Sequence, residues 1–243
     1  MNVEVHDDAG IGAAGAAIVR RGVESGDIRV LGVATGSSPE PVYAALAADP
    51  PRGIRAVRMF ALDEYRGLPA SHPQSYHAVV RRELVEPLDL DAERVSVLDG
   101  EAPDALAECA RFEAGIRDAG GVDLQILGIG ANGHIGFNEP GADPRSRTRP
   151  AELMPSTREA NARFFSSLEE VPTGCLTQGL GTILEARRIL LIARGEQKAL
   201  AVRHAVEGEP DRAWPASWLR GHPDVTLLLD AAAASMLTPE RIR

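Results

Sequence analysis

Aromatic side chains make up only 4% of these 243 residues, and there are just two cysteines, Cys109 and Cys175. With so few rings, a core has to be assembled from Ala, Val, Leu and Ile. The 44% hydrophobic content is enough for a substantial one. Two cysteines make neither a disulfide-dense scaffold nor a CxxC site. They read as reduced, partly buried thiols, as expected of a cytoplasmic protein. No apolar run approaches the ~20 residues of a membrane span. The acidic stretch from Met1 to Gly10 lacks the apolar segment of a signal peptide. Basic residues are outnumbered, and the formal net charge of -9 argues against general nucleic-acid binding, because an acidic surface repels a phosphate backbone. A small anionic substrate is still allowed, since a few local cations and backbone N–H groups can hold one phosphate. Internal repeats and low-complexity linkers are also missing, so residues 1–243 read as a single domain. A homo-oligomer is compatible with this reading.

What the chain does contain is an alternation of short apolar runs with helix-period segments. Strands are expected at Ile28–Ala34, Ala56–Leu62, Val95–Leu98, Val122–Ile129, Arg188–Ala193 and Val225–Leu229. Helices are expected at Pro39–Ala48 (with Ser38 as N-cap), Gln74–Leu88, Asp104–Ala119, Thr157–Phe165, Gln178–Ala186 and Gln197–Val206. Near-continuous apolar strands alternating with helices predict an α/β fold. Its core would be one doubly wound, mostly parallel sheet with helices on both faces (Rossmann-like). The polar, Pro- and Arg-rich stretch Glu139–Pro155 reads as a lid or surface loop. In such sheets ligands sit beyond the carboxyl ends of the strands.

Three segments fall at those ends. Thr35-Gly36-Ser37-Ser38-Pro39 places a glycine and hydroxyls between a strand and a helix N-terminus, where the helix dipole and outward N–H groups favour an anion. It lacks the GK[ST] ending of a Walker loop. Asp63-Glu64-Tyr65 puts two acids after an apolar strand. Neighbouring side chains in extended chain point to opposite faces, so one acid at most faces a given pocket. A carboxylate in apolar surroundings has a raised pKa and can act as a general base. The blander alternative has Asp63 capping a loop and Glu64 solvated.

The third segment, Gly128 to Gly141, gathers glycines around Asn132, His134, Asn138 and Glu139. Glycines let backbone approach a ligand, and a histidine suits proton transfer near neutral pH once a partner fixes its tautomer. Glu139 and Asn132 are the candidate partners. A metal site of His134, Glu139 and Asp63 has no supporting pattern, neither HExxH nor a Cys–His cluster. Two cations, Arg163 and Lys198, are candidates to grip a phosphate. The remaining histidines stand alone and read as surface or core residues.

Together these motifs resemble the glucosamine-6-phosphate deaminase family, in order and over nearly the whole chain. The resemblance is carried by LGVATGSSP (31–39), FALDEYRGLPASHPQSY (60–76), LGIGANGHIGFNEPG (127–141), SRTR (146–149), TREANARFF (157–165), LTQGLGTILEARRILLIARGEQKALAVRHAVEG (176–208) and SWLRGHP (217–223). It implies an aldose–ketose isomerase and deaminase that turns glucosamine 6-phosphate and water into fructose 6-phosphate and ammonia, in amino-sugar catabolism. It implies Asp63 as the C2 proton acceptor, His134 as the ring-opening acid/base, and Glu139 and Asn132 as the groups completing its relay. Thr35, Gly36, Ser37 and Ser38, with Arg163 and Lys198, match the phosphate site. A helical lid belongs to the same pattern. Proton transfers suffice for this chemistry, so no cofactor and no metal is expected.

The resemblance also bears on regulation. Activated members use serines and a lysine near the SRTR segment and a C-terminal extension, whereas this chain has Ala142, Asp143 and Ala151 there and ends soon after Leu237. Allosteric activation is therefore not expected, although Arg149 is kept. The rival readings are a sugar-phosphate lactonase of the 6-phosphogluconolactonase kind, a deaminase for the galacto epimer, and a sugar-phosphate-sensing domain of a transcription regulator. The last lacks its basic DNA-binding segment here.

Overall fold

A computed structural model describes residues 1–242. Its main sheet has seven strands, all parallel: β1 (Asn2–Val5), β2 (Val30–Val33), β3 (Arg58–Ala61), β5 (Val95–Ser96), β6 (Leu124–Leu127), β9 (Ile189–Ala193) and β10 (Val225–Leu229). Their order is β1-β10-β9-β6-β2-β3-β5. Apart from β1 at one edge, strand order therefore runs outward in both directions from the β2/β6 pair, and a crevice forms beyond the carboxyl ends of those two strands.

Both faces of the sheet are buried. Along β9, Ile189, Leu191 and Ala193 enter one core and Leu190 and Ile192 the other, the period-two alternation of a strand between two layers. Helices α4 (Ala105–Asp118), α6 (Leu180–Leu184) and α7 (Ala199–Val206) supply the first core with Phe112, Ile183 and Val202. Helices α1 (Asp8–Ser25) and α2 (Glu40–Ala48) supply the second with Ile11, Val19, Val42 and Leu46. No helix among the described residues is long and apolar enough to cross a membrane.

Some expectations are corrected. Helix α1, with strand β1 before it, is absent from the sequence reading because its glycines lower helix propensity. They are there for packing. A methyl carbon at Gly12 would lie 2.7 Å from the Pro41 carbonyl oxygen, and one at Gly15 would overlap the Val42 side chain. The helix starts where the Asp7 carboxylate accepts the Gly10 N–H. Helix α2 has Pro39, not Ser38, at its N-cap, with no side-chain cap bond, which leaves Ser38 in the preceding turn. The helix expected over Gln74–Leu88 is α3 (Tyr76–Val80), which then widens into a π turn at Arg81–Val85. Helices expected at Thr157–Phe165 and Gln178–Ala186 shorten to α5 (Pro155–Asn161) and α6.

A second, three-stranded antiparallel sheet was not anticipated. It is built from β4 (Asp63–Tyr65), β8 (Gly174–Thr177) and β7 (Arg149–Glu152), with β8 central. Part of the stretch expected as a lid or loop is thus a strand. Only the segment after it, α5 with the tight turn through Phe164, is helical.

Candidate active site

One cleft of about 850 Å³ opens beyond the carboxyl ends of the main strands. It is lined by Thr35, Gly36, Ser37 and Ser38 after β2, by Asp63 after β3, by Asn132 and His134 after β6, and by Arg163 and Lys198. Glu139 lies behind the imidazole and reaches the cleft only through its neighbours. The sequence-derived residues therefore meet in one place, drawn from separate strand ends.

His134 is held by a short chain of hydrogen bonds. Asn132 Oδ1 lies 2.8 Å from His134 Nδ1 and accepts the His134 backbone N–H at 3.2 Å. Asn132 Nδ2 donates to Glu139 Oε2 at 2.8 Å. The reverse amide orientation would set an NH₂ against a backbone N–H and a carbonyl against a carboxylate, so this one is required. The imidazole then carries its proton on Nδ1 and leaves the Nε2 lone pair free for chemistry. Glu139 Oε2 is also 3.4 Å from Nδ1, and Oε1 accepts the Met154 N–H at 3.3 Å. Burial works against the Glu139 charge, but the His134 contact and further hydrogen bonds outweigh it and bring its pKa down to about 2. Glycines make room for the ring. A methyl carbon at Gly130 would sit 2.5 Å from His134 Nε2 and closer still to Cε1 and Nδ1. Gly136, at φ +54°, passes over the Asp63 carboxylate and Thr177 Oγ1.

Asp63 opens β4, faces Thr177 across the small sheet, and is 5% exposed. Burial, with the adjacent Glu64 charge, raises its pKa well above the ordinary carboxylate range. Glu64 points the other way, as the alternation requires. The bland alternative fails for Glu64, which is buried rather than solvated. Its carboxylate accepts the N–H groups of Tyr65, Tyr76 and His77 at 2.8–3.0 Å and so closes the start of α3. Burial outweighs those bonds and pushes its pKa up to about 7.

The far end of the cleft is cationic. Gly36 turns the chain with φ +86°. The backbone N–H groups of Gly36, Ser37 and Ser38 have no protein partner among the described residues. Arg163 Nη2 donates to Ser37 Oγ at 3.3 Å while its guanidinium lies over the Phe164 ring, 4.6 Å from the centroid. Lys198 forms no ion pair among the described residues. Burial, then the Arg163 charge, lowers its pKa. An anion between these cations and the free N–H groups would relieve that repulsion.

Sequence reasoning missed two parts of the lining. Arg194 reaches the same loop, donating to the Ser37 carbonyl at 2.7 Å and pairing with Asp8 at 2.9 Å. Its only signal was its place directly after a strand. The aromatic wall of Tyr65, Tyr76, Phe137 and Phe165 is assembled from distant segments, with Asn161 donating to the Tyr65 hydroxyl at 2.9 Å. Among the described residues no group of three or more His, Cys, Asp or Glu side chains is placed to hold a metal ion.

An oriented imidazole, a desolvated carboxyl and an anion-holding loop at the switch point of a doubly wound sheet define an α/β enzyme for proton transfer on a small anionic substrate. Residues 11–227 match the family described as glucosamine-6-phosphate isomerases/6-phosphogluconolactonase, and the chain belongs to that family. It is 54% identical over 210 residues to the glucosamine-6-phosphate deaminase of Pseudarthrobacter chlorophenolicus, covering 86% of this chain and 81% of that one. It is 55% identical over 212 residues to the deaminase of the same name from Mycolicibacterium smegmatis, with the same coverage. The solved structure of a monomeric glucosamine-6-phosphate deaminase superposes with a TM-score of 0.94 at 40% identity, covering 97% of this chain and all of that one. The 6-phosphogluconolactonase from Trypanosoma cruzi shares the fold, with a TM-score of 0.80 at 21% identity over 98% and 97% of the two chains.

Proposed function

We propose that this protein converts glucosamine 6-phosphate and water into fructose 6-phosphate and ammonia. The observation that carries the reading is the meeting, in one cleft, of a buried, proton-hungry Asp63 with the His134–Asn132–Glu139 chain and a cationic loop. The names of its relatives point the same way.

The phosphate docks on the Gly36–Ser38 loop, Arg163 and Lys198. Contacts remote from the reacting carbons then hold C1 and C2 in place. His134 Nε2 moves a proton between the ring oxygen and O1, which opens the pyranose. Asn132 keeps the tautomer, and the ionised Glu139 stabilises the imidazolium that forms. Asp63 takes the C2 proton, leaving an enolamine. Reprotonation at C1 gives a C2 iminium, whose hydrolysis by water releases ammonia and the ketose. Its raised pKa brings Asp63 closer to the operating pH and strengthens it as a base once ionised.

Lactone hydrolysis, the activity in the other half of the family name, activates water and abstracts no proton from carbon. A desolvated Asp63 favours the carbon acid. The test is purified protein with glucosamine 6-phosphate, its galacto epimer and 6-phosphogluconolactone, scoring ammonia and ketose phosphate together. Lactone hydrolysis without ammonia release would refute the proposal. Regulation by an activator is not expected. Asp143 is taken up by Arg145 and Arg212, and Ala151 lies within β7. Saturation should be hyperbolic with or without N-acetylglucosamine 6-phosphate.

A further inference from the structure

The two chemical groups sit on different segments. Asp63 follows β3, and His134 and Glu139 bracket a turn after β6. Something has to hold those segments at a fixed spacing. The Phe137 N–H donates to Thr177 Oγ1 at 3.1 Å, on the residue opposite Asp63, and a second link runs through Asn138. Asn138 is fully buried and closes the turn by bridging to Ile135. Its Nδ2 donates to the Ile135 carbonyl at 2.9 Å and to the Gln178 carbonyl at 2.8 Å. Gln178, also fully buried, donates its backbone N–H to Leu62 O at 2.8 Å and its Nε2 to Ala61 O at 3.0 Å. Ala61 and Leu62 lead straight into Asp63. Hydrogen bonds therefore run without a break from the residue before Glu139 to the residue before Asp63.

The orientation of Asn138 is itself controlled. Arg149 Nη1 donates to Asn138 Oδ1 at 2.9 Å, so a flipped amide would face a cation with its NH₂ group and two carbonyls with its oxygen. Arg149 has no carboxylate ion pair among the described residues, and burial lowers its pKa. A half-buried guanidinium whose side-chain hydrogen bond among the described residues goes to a carboxamide rather than a carboxylate is a costly arrangement. It stands on β7 opposite Thr177, which stands opposite Asp63 on β4. The small sheet thus carries Arg149 to the one place where it can fix the amide.

We infer that Asn138, oriented by Arg149, is a positioning residue that sets the spacing between the Asp63 carboxyl and the His134–Glu139 relay. The inference rests on the reaction proposed above. Each segment keeps its own support without this link: β4 is paired to β8, and Gly130 N–H bonds His134 O at 2.9 Å. No hydrogen bond joins the anion loop to the Asn138 side chain among the described residues. Loss of the link should therefore impair chemistry and spare binding.

The experiment measures kcat, KM, inhibition by inorganic phosphate, and the isotope effect with C2-deuterated substrate in Asn138→Ala, Arg149→Met and Arg149→Lys. A displacement of roughly 1 Å at reacting groups costs up to about 100-fold in rate. Asn138→Ala should lose about 30- to 100-fold in kcat, with KM and phosphate inhibition within about 3-fold of wild type and a larger C2 isotope effect. Arg149→Met should lose about 10-fold in the same pattern, with part of it regained in Arg149→Lys. Arg149→Met keeps the carboxamide and serves if the alanine variant melts early. A kcat within about 3-fold of wild type in both variants, or a loss carried by KM, overturns the inference. Wild-type protein that releases no ammonia would overturn the reaction, a result distinguishable from both.

Discussion

Adding one methyl group beside the imidazole is the sharpest perturbation this site allows. In Gly130→Ala the new carbon would lie 2.5 Å from His134 Nε2 and nearer to two other ring atoms. Non-bonded carbon contacts settle near 3.5 Å, so the ring has to retreat by about 1 Å. Gly130 does not have a positive φ, so alanine brings no backbone strain of its own. The ring cannot retreat freely, because Nδ1 is tied to Asn132 at 2.8 Å and through it to Glu139. A shift of that size at a proton-transferring group should lower kcat about 100-fold, or about 2.7 kcal/mol of transition-state stabilisation. KM should change little, since the phosphate end is untouched. Gly221→Ala is the internal control. Its methyl carbon would meet nothing within 4 Å, and its turnover should stay near wild type. The assay is steady-state ammonia release, with a thermal melt to verify folding. A folded Gly130→Ala enzyme turning over at the wild-type rate would refute the proposed role of the ring.

Asp63→Asn should reduce turnover by about 10²–10⁴-fold with substrate binding retained, read by kcat against KM. Because burial raises the Asp63 pKa, the base is lost to protonation as pH falls through a value above the ordinary carboxylate range. The acidic limb of kcat/KM should lie there in the wild type and disappear in the variant. Lys198→Ala should instead raise KM and weaken phosphate inhibition, with kcat falling less. An unchanged KM would remove Lys198 from the anion site. Glu139 has its folded pKa lowered from 4.5 to about 2. It therefore contributes stability above its unfolded value, about 3 kcal/mol at neutral pH, that is lost as pH drops from there through about 2. Denaturant melts of Glu139→Gln should show a deficit at pH 7 that narrows as pH falls below about 4.5 and is largely gone near pH 2. Gly32→Ala should lower stability by about 1–3 kcal/mol, because its methyl would lie 2.6 Å from Gln125 Nε2, closer still to Oε1, in the centre of the sheet.

The alternation of apolar strands with amphipathic helices was local information, and it was enough to define a doubly wound parallel sheet. The same holds for the site residues at strand ends, because β2, β3 and β6 must all emerge on one side of a parallel sheet. Once Thr35–Ser38, Asp63 and the Gly128–Glu139 loop are assigned to those ends, they can only converge. Tertiary structure alone decided the rest. The three-stranded sheet depends on pairs such as Asp63 with Thr177, more than a hundred residues apart, in strands of three and four residues too short to show a period. Helix α1 was hidden because its glycines answer to α2 and not to helix propensity. Which of Asp63 and Glu64 lines the cleft was undecidable from their adjacency. It was settled when α3 brought its unpaired N–H groups to Glu64 and left the other carboxyl, desolvated, in the cleft.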